Sequence, residues 1–427
     1  MTKIYFQTHG CSTNISESEI MMGLLKEADF CFVTQPADSE IIIVNICTVK
    51  GEETAIRIIR KLIEENESKK LIVAGCITKI ILKEIRSLKE ECSFINTHNI
   101  KSIVDVVEEV INDNIVGALG SDNYKKINLP KVRKSDIVGV IPILNGCANY
   151  CSYCSVRYVK GKLMSYAIQD IKNEAVRCIA NGCKELWITS QDNAAYMLEN
   201  SETSKLPYLI NEIVKIEGDY KIRIGMMNPK HLQKILPDMV NVFKHSKIYK
   251  FLHVPVQSGN DEILKLMKRN YEVSDFKKII SKFRDEIPNI TISTDIITGF
   301  PTETEEQFND SLNLIKEIKP NVLNISRFQP RPGTEASKMD GQINGRITKE
   351  RSRIITDVFL NIARMNNERW LGWEGDILIN EIGKLGTSIG RNSYYKPVIL
   401  QGEFRMGDVV KAKIHNVSSY DLRAELI

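Results

Sequence analysis

The sequence predicts an α/β protein in three modules: an N-terminal open parallel α/β sheet, a central partial (β/α)6 barrel and a small C-terminal β-barrel. Three observations predict this. Short apolar runs alternate with amphipathic stretches over roughly the first 115 residues, which is the rhythm of a parallel sheet with covering helices. A second strand-helix series of six units begins at Val138. Near Trp370 the pattern changes to short alternating strands separated by glycine turns.

In the first module the strands are KIYFQT, EIIIVNIC and LIVAGC, each followed by a helical pattern. Ser16-Glu17-Ser18-Glu19 reads as a capping box, predicting a helix that starts there and carries Ile20, Leu24 and Leu25. The polar stretch Gly120 to Ser135 reads as a linker, which sets modules at 1–118, 136–366 and 367–427. The central strands are VGVIPILN, ELWITS, KIRIGM, FLHVPV, ITISTDII and NVLNISRF, two units short of a full eight-stranded barrel. A second capping box, Thr302-Glu303-Thr304-Glu305, predicts the helix that carries Phe308, Leu312, Ile315 and Ile318 on one face. The last module contains GDILINEIGKLG, KPVILQGEF, DVVKAKIHNVSS and DLRAELI.

Over 427 residues, 43% hydrophobic and 26% charged with 13 prolines, the composition is that of a globular protein without a disordered or collagen-like bias. The start MTKIYFQTHG has no apolar stretch ahead of a small-residue cleavage site, and no run approaches a membrane span, so the expectation is a cytoplasmic chain without a membrane. A net charge of +4 is too small to announce nucleic-acid binding. From Arg327 to Arg353, however, seven basic residues face three acidic ones, a local excess of four that suits phosphate as well as it suits a solvated helix face.

Ten cysteines in a reducing compartment point to metal or catalysis rather than disulfides. Cys147, Cys151 and Cys154 stand in the spacing CxxxCxxC just after a strand, where an α/β barrel places its site. Three thiolates from one loop hold a four-iron cluster with one iron left open, the arrangement of a radical S-adenosylmethionine enzyme. Structural zinc or unligated thiols are the competing readings, although no nearby histidine or second cysteine pair completes a tetrahedron. Tyr153, between the last two cysteines, is expected to pack over the cluster.

Cys11, Cys47 and Cys76 each follow a predicted parallel strand. Carboxyl ends of such strands share one edge, so three thiols there can converge on a second cluster. Chance burial of small apolar cysteines explains any one of them. Cys31, Cys92, Cys178 and Cys183 read as core or surface thiols, and His9 and His253 as hydrogen-bonding residues near strand ends.

Taken together, QTHGCSTN, NICTVK, NGCANYCSYCSVRYVKGKLMSY, FLHVPVQSGND, STDIITGFPTET and a terminal barrel similar to a TRAM domain resemble the methylthiotransferase family. ELWITSQDNAAY, IRIGMMNP and SRFQPRPGTEASKM resemble its archaeal and eukaryotic branch, which acts on N6-threonylcarbamoyladenosine at tRNA position 37; the isopentenyladenosine and ribosomal-protein branches remain alternatives. A non-catalytic iron-sulfur RNA-binding protein is the competitor from another class. Arg157 stands where the isopentenyladenosine branch usually carries a proline.

The resemblance implies two [4Fe-4S] clusters, on Cys11, Cys47 and Cys76 and on Cys147, Cys151 and Cys154, with S-adenosyl-L-methionine as radical source and methyl donor. It implies cofactor contacts at Tyr153, Ser190, Gln191, Asp192, Gln257, Ser258, Asp295 and Gly299, with Gln257 and Ser258 reaching ribose. It implies that the terminal barrel grips the tRNA anticodon stem-loop and that a ferredoxin or flavodoxin supplies electrons. Eight basic and eight acidic residues from Asn366 onward cancel, so RNA contact must come from local clustering. Arg391, Asn392, Tyr394, Tyr395 and Lys396 are the candidates, since aromatics stack on bases and cations meet phosphate.

Overall fold

The structure, a computed structural model, describes residues 2–48, 51–121 and 124–427. The last two residues of the NICTVK motif and residues 122 and 123 of the expected linker therefore lie outside the described residues. The chain packs as two compact units. One comprises Met1–Asp136, Val140–Cys147 and Ser155–Glu174; the other comprises Ile137–Gly139, Ala148–Cys154 and Ala175–Ile427.

The first unit is built on a parallel sheet with strand order β2-β1-β3-β4-β5-β6. Its strands are β1 (Lys3–Thr8), β2 (Cys31–Val33), β3 (Ile41–Ile46), β4 (Lys70–Gly75), β5 (Ser93–Asn96) and β6 (Gly117–Ala118). Every residue of β3 is buried, as expected of a central strand covered by helices on both faces. Alternation sends Ile41 and Ile43 into one core with Ile4, Ile20, Ile72 and Ile95, and Ile42 and Val44 into the other with Val73, Ile81 and Phe94.

Two sequence expectations are corrected here. The first helix spans Ser12–Glu27 with Cys11 as its N-cap, so Ser16, Glu17, Ser18 and Glu19 lie inside it rather than capping it. All four are buried; Ser18 Oγ accepts from Thr8 Oγ1 at 2.8 Å, and Glu19 Oε1 accepts from the Lys134 amide at 3.2 Å. The expected linker is not a loose tether over its described residues. Lys131 Nζ pairs with Glu174 Oε1 at 2.8 Å, the Val132 amide donates to Glu19 O at 2.9 Å, and Lys126 and Ile127 are buried.

All six expected central strands form: β7 (Val138–Pro142), then, after the short pair β8 (Leu144–Asn145) and β9 (Met164–Ser165), β10 (Glu185–Thr189), β11 (Lys221–Ile224), β12 (Phe251–His253), β13 (Thr291–Thr298) and β14 (Val322–Arg327). They make two three-stranded sheets, β11-β10-β7 and β12-β13-β14. The amide of Tyr249 donating to Ile222 O at 3.0 Å and that of Met227 to His253 O at 3.0 Å join β11 to the β12 segment. A closed barrel, β15-β16-β17-β19-β18, ends the chain. Its strands are β15 (Glu374–Ile382), β16 (Thr387–Arg391), β17 (Pro397–Gln401), β18 (Val409–Val417) and β19 (Leu422–Leu426), closed over Trp370, Ile377, Ile379, Val398 and Leu400.

The second predicted capping box forms two residues later than expected: Thr304 caps Glu305–Ile318, paired with Gln307. Glu303 is instead buried and accepts from Arg351 Nη1 at 2.7 Å and from the Gly299 amide at 2.8 Å. Arg351 is thereby removed from the basic surface excess counted in the sequence. Replacing it leaves a buried carboxylate without its cation. Arg351→Met is expected to destabilise the second unit by about 3–5 kcal/mol in urea unfolding; an unchanged midpoint would show that the pair contributes nothing.

Candidate active site

Strands β1, β3 and β4 are neighbours, and their carboxyl ends deliver Cys11, Cys47 and Cys76. The delivery is set by close backbone approach. Gly75 has φ +99°, and a Cβ there would lie 2.1 Å from Asn45 Oδ1, so only glycine lets β4 end against β3 before Cys76. The Cys76 amide donates to Ile46 O at 3.0 Å.

Two buried amides lock the edge. Asn14 Nδ2 donates to Asn45 Oδ1 (3.1 Å) and Ile46 O (2.9 Å), while Asn45 Nδ2 donates to Asn14 O (3.0 Å) and Ser18 Oγ (2.8 Å). Asn14 also accepts from Cys11 Sγ at 3.3 Å.

The three sulfurs converge. The Cys47 thiol lies close enough to both neighbours for each to shift the others. Its neighbourhood holds the Cys11 thiol down at about 5 and the Cys76 thiol at about 7, against their burial and with help from the Lys160 cation. The same two neighbours, with burial, push the Cys47 thiol up. Among the described residues no three side chains already stand at ligand spacing around one point. What fits an iron-sulfur cluster is the donor chemistry: three soft thiols, two of them thiolate-prone, in a buried cationic site. A cavity of about 300 Å³ opens beside them, lined by Thr8, His9, Cys47, Thr54, Ile58 and Lys134 among others.

Below the thiols lies a charged network that the sequence reading missed. Glu17 Oε1 accepts from Lys126 Nζ at 2.7 Å, from Lys160 Nζ at 2.8 Å and from Thr97 Oγ1 at 2.5 Å. Both lysines also reach Thr97 Oγ1, each at 2.8 Å. The two cations hold the Glu17 carboxyl down at about 2 against its burial. The available signal was Lys160, at the end of the same motif that carries the CxxxCxxC cysteines.

That motif's first cysteine is fixed within the first unit. The Cys147 amide donates to Gly161 O at 3.3 Å, and its carbonyl accepts from Arg157 Nη1 at 2.7 Å. Cys151 and Cys154 belong to the second unit and form a turn, with the Cys154 amide donating to Cys151 O at 3.1 Å. Ser152 anchors the turn through Leu266 O at 2.7 Å. Arg269, buried and absent from the sequence expectations, donates to Cys151 Sγ at 3.4 Å, to Tyr271 Oη at 3.0 Å and to Pro255 O at 3.0 Å. Tyr153 packs into the apolar cluster of Ile263, Met267, Ile297, Phe300 and Ala336.

The strand-end residues divide. Asp192 is buried, accepting from the Asn228 amide at 3.0 Å and from Asn149 Nδ2 at 2.9 Å; Asn149, inside the cysteine loop, also meets His231 Nε2 at 3.0 Å. Ser190 Oγ accepts from the Asp192 amide at 3.2 Å, and Gln191 lies between them, half-buried. Asp295 Oδ1 meets His253 Nε2 at 2.9 Å and accepts from Asn324 Nδ2 at 2.6 Å. Gln257, at φ +76°, is bridged to β13 through its own backbone. Ser258 is fully buried: its hydroxyl accepts from the Asn260 amide at 3.2 Å and meets Ser311 Oγ at 3.4 Å. Gly299 is backed by Thr348, whose Oγ1 would lie 2.3 Å from a Cβ.

The terminal-barrel candidates make their resolved contacts within the protein. Asn392 is fully buried, its Oδ1 accepting from the Tyr394 and Lys396 amides at 3.0 Å each. Lys396 is buried and donates to Asn367 Oδ1 at 2.8 Å. Tyr394 packs edge-on against Trp370 at 4.9 Å; Tyr395 packs against Tyr249 at 4.8 Å and Phe251 at 5.1 Å, with Arg391 over its ring at 4.9 Å. These rings are used inside the protein. Among the described residues no helix is long and apolar enough to cross a membrane.

Family models match three stretches: the Radical SAM superfamily at residues 141–315, Uncharacterized protein family UPF0004 at 3–96 and the TRAM domain at 361–427. The chain is 37% identical, over 94% of its length and 96% of the relative's, to the probable threonylcarbamoyladenosine tRNA methylthiotransferase of Methanothermobacter thermautotrophicus. It is 33% identical to the threonylcarbamoyladenosine tRNA methylthiotransferase of Homo sapiens, covering 99% of this chain and 74% of that one. Among solved structures, the radical S-adenosylmethionine methyltransferase TsrM of Kitasatospora setae shares the fold at TM-score 0.57 and 13% identity, covering 79% of this chain and 77% of that one.

Burial holds the Lys396 ammonium down at about 8. The unfolded chain therefore binds more protons between about pH 8 and 10.5, and stability gains with rising pH across that window. Relative to Lys396→Met, the wild-type unfolding free energy is expected to climb there by on the order of 1–3 kcal/mol; parallel pH curves for the two proteins would refute this.

Proposed function

Since the chain belongs to the radical S-adenosylmethionine methylthiotransferase family, in the threonylcarbamoyladenosine branch, we propose that it methylthiolates C2 of N6-threonylcarbamoyladenosine at position 37 of tRNA. The observation that carries this reading is the convergence of Cys11, Cys47 and Cys76 in a chain that also holds the CxxxCxxC loop. A single cysteine loop would support radical chemistry alone; a second buried thiol set supports sulfur delivery.

C2 of an adenine is an unactivated C–H position, outside the reach of acid-base side chains. The clusters and S-adenosylmethionine, when bound, supply the carbon-centred radical and the methylthio group that such a position requires. Cys147, Cys151 and Cys154 would hold the first cluster and Cys11, Cys47 and Cys76 the second. Arg269 donates to Cys151 Sγ and so fixes where that sulfur stands. Asp192, pinned by Asn149 and the Asn228 amide, presents an oriented carboxylate for an ammonium group. Ser190, Gln191, Gln257, Asp295 and Gly299 complete the cofactor cradle at the strand ends. The tRNA anticodon stem-loop meets the outward face of the terminal barrel, where Lys384, Arg405, Lys411 and Arg423 are exposed. An electron carrier of the ferredoxin or flavodoxin type serves the reaction in the cytoplasm.

Nucleosides from a deletion strain, resolved by mass spectrometry, are expected to lose 2-methylthio-N6-threonylcarbamoyladenosine and to accumulate the unthiolated form. Loss of a different methylthio nucleoside, or of none, would reject the substrate. Reconstituted protein is expected to hold about eight irons per chain, and about four after alanine replaces either cysteine set. Four irons in the parent would reject the two-cluster reading.

A further inference from the structure

Glu17, Lys126 and Lys160 form a buried set with a surplus cation. Their side chains are 2%, 4% and 3% exposed, two ammonium groups share one carboxylate oxygen, and the third polar partner, Thr97, is neutral. Burying a net positive charge costs several kcal/mol unless an anion faces it. The network stands against the thiol edge: Thr97, whose Oγ1 accepts from Lys160 at 2.8 Å, donates its own amide at 2.9 Å to the carbonyl of Gly75, the residue before Cys76, and Glu17 lies in the helix that Cys11 caps. Lys160 is also rigidly placed. It ends the short helix Val156–Lys160, its carbonyl accepts from Asn145 Nδ2 at 3.3 Å, and Gly161 turns the chain away at φ +80°.

We propose that the Lys160 ammonium, held by Glu17 and Thr97, is the fixed counter-charge of the Cys11/Cys47/Cys76 thiolates and raises the reduction potential of the cluster they hold. This rests on the reading that those thiols hold a cluster. A cation beside an anionic centre stabilises its more negative, reduced form, and burial leaves that attraction weakly screened. Lys126 supplies the second positive charge that lets Glu17 remain ionised without cancelling Lys160. Lys160 is thus a positioning residue for the sulfur-delivery site.

The test uses the full-length chain carrying Cys147→Ala/Cys151→Ala/Cys154→Ala, so that only the N-terminal cluster remains, with iron counted and the potential read by an EPR-monitored redox titration. Lys160→Met is expected to shift the reduced-to-oxidised ratio at fixed potential at least tenfold toward oxidised, which is about 59 mV for a one-electron couple. Lys160→Arg, which keeps the charge, should retain the parent potential, and Glu17→Gln, which removes the opposing charge, should shift the potential upward.

An unchanged potential in Lys160→Met with four irons retained would overturn the proposal. Movement of Lys160→Met and Glu17→Gln in the same direction would also overturn it, since loosened packing has no such sign. Should Lys160→Met fail to hold iron, Glu17→Gln decides alone: an upward shift supports the counter-charge, and none overturns it. A parent that binds no iron on the N-terminal thiols fails the two-cluster reading instead, a result visible in the iron count before any potential is read.

Discussion

The paired amides of Asn14 and Asn45 are the constraint on which the thiol site depends. Three parallel strands place their carboxyl ends on one edge, but strand ends fray unless their last polar groups are satisfied. Asn14 reaches from the first helix to β3, and Asn45 reaches back to that helix, so four hydrogen bonds tie the two together where the cysteines emerge. Gly75 then allows β4 to close against the same asparagine. The sulfur positions follow from backbone and amide geometry, before any cluster is considered.

The two cysteine sets receive their positive charge differently. Cys151 takes it directly, from an arginine whose other hydrogen bonds, to Tyr271 and a backbone carbonyl, fix the guanidinium plane. The N-terminal set takes it at one remove, from a lysine whose hydrogen bonds go to Glu17 and Thr97 rather than to sulfur. A direct hydrogen bond constrains one sulfur, whereas an offset ammonium constrains none.

Much of this was legible in the sequence, and what was not has a physical cause. The buried strands, the six central strands and the two cysteine sets announce themselves through periodicity and spacing, which are local properties. Ser16, Glu17, Ser18 and Glu19 misled because polar residues in a row imply a helix start, whereas here they lie inside the helix and are buried together with Ile20, Met21 and Leu25. Lys126 misled in the same way: a lysine in a polar stretch suggests a linker, and its partner is 109 residues away. Arg269 carried no local signal at all, since its tie to Cys151 spans 118 residues. Long-range pairing of charged groups is invisible to pattern, and both charge networks consist of it.

The aromatic cluster at residues 391–396 is a second place where long-range pairing sets the structure. Tyr395 packs against Tyr249 and Phe251, the Lys250 amide donates to Ser393 O at 2.9 Å, and Asn380 Nδ2 donates to Glu185 Oε2 at 3.1 Å. Glu185 opens β10, and Tyr249 and Lys250 precede β12, so the terminal barrel is seated on the amino ends of the central strands. Ser190, Gln257 and the turn at Gly299 follow β10, β12 and β13, at the opposite, carboxyl ends. Ser393 and Tyr395 therefore fasten the barrel to the strands beneath it.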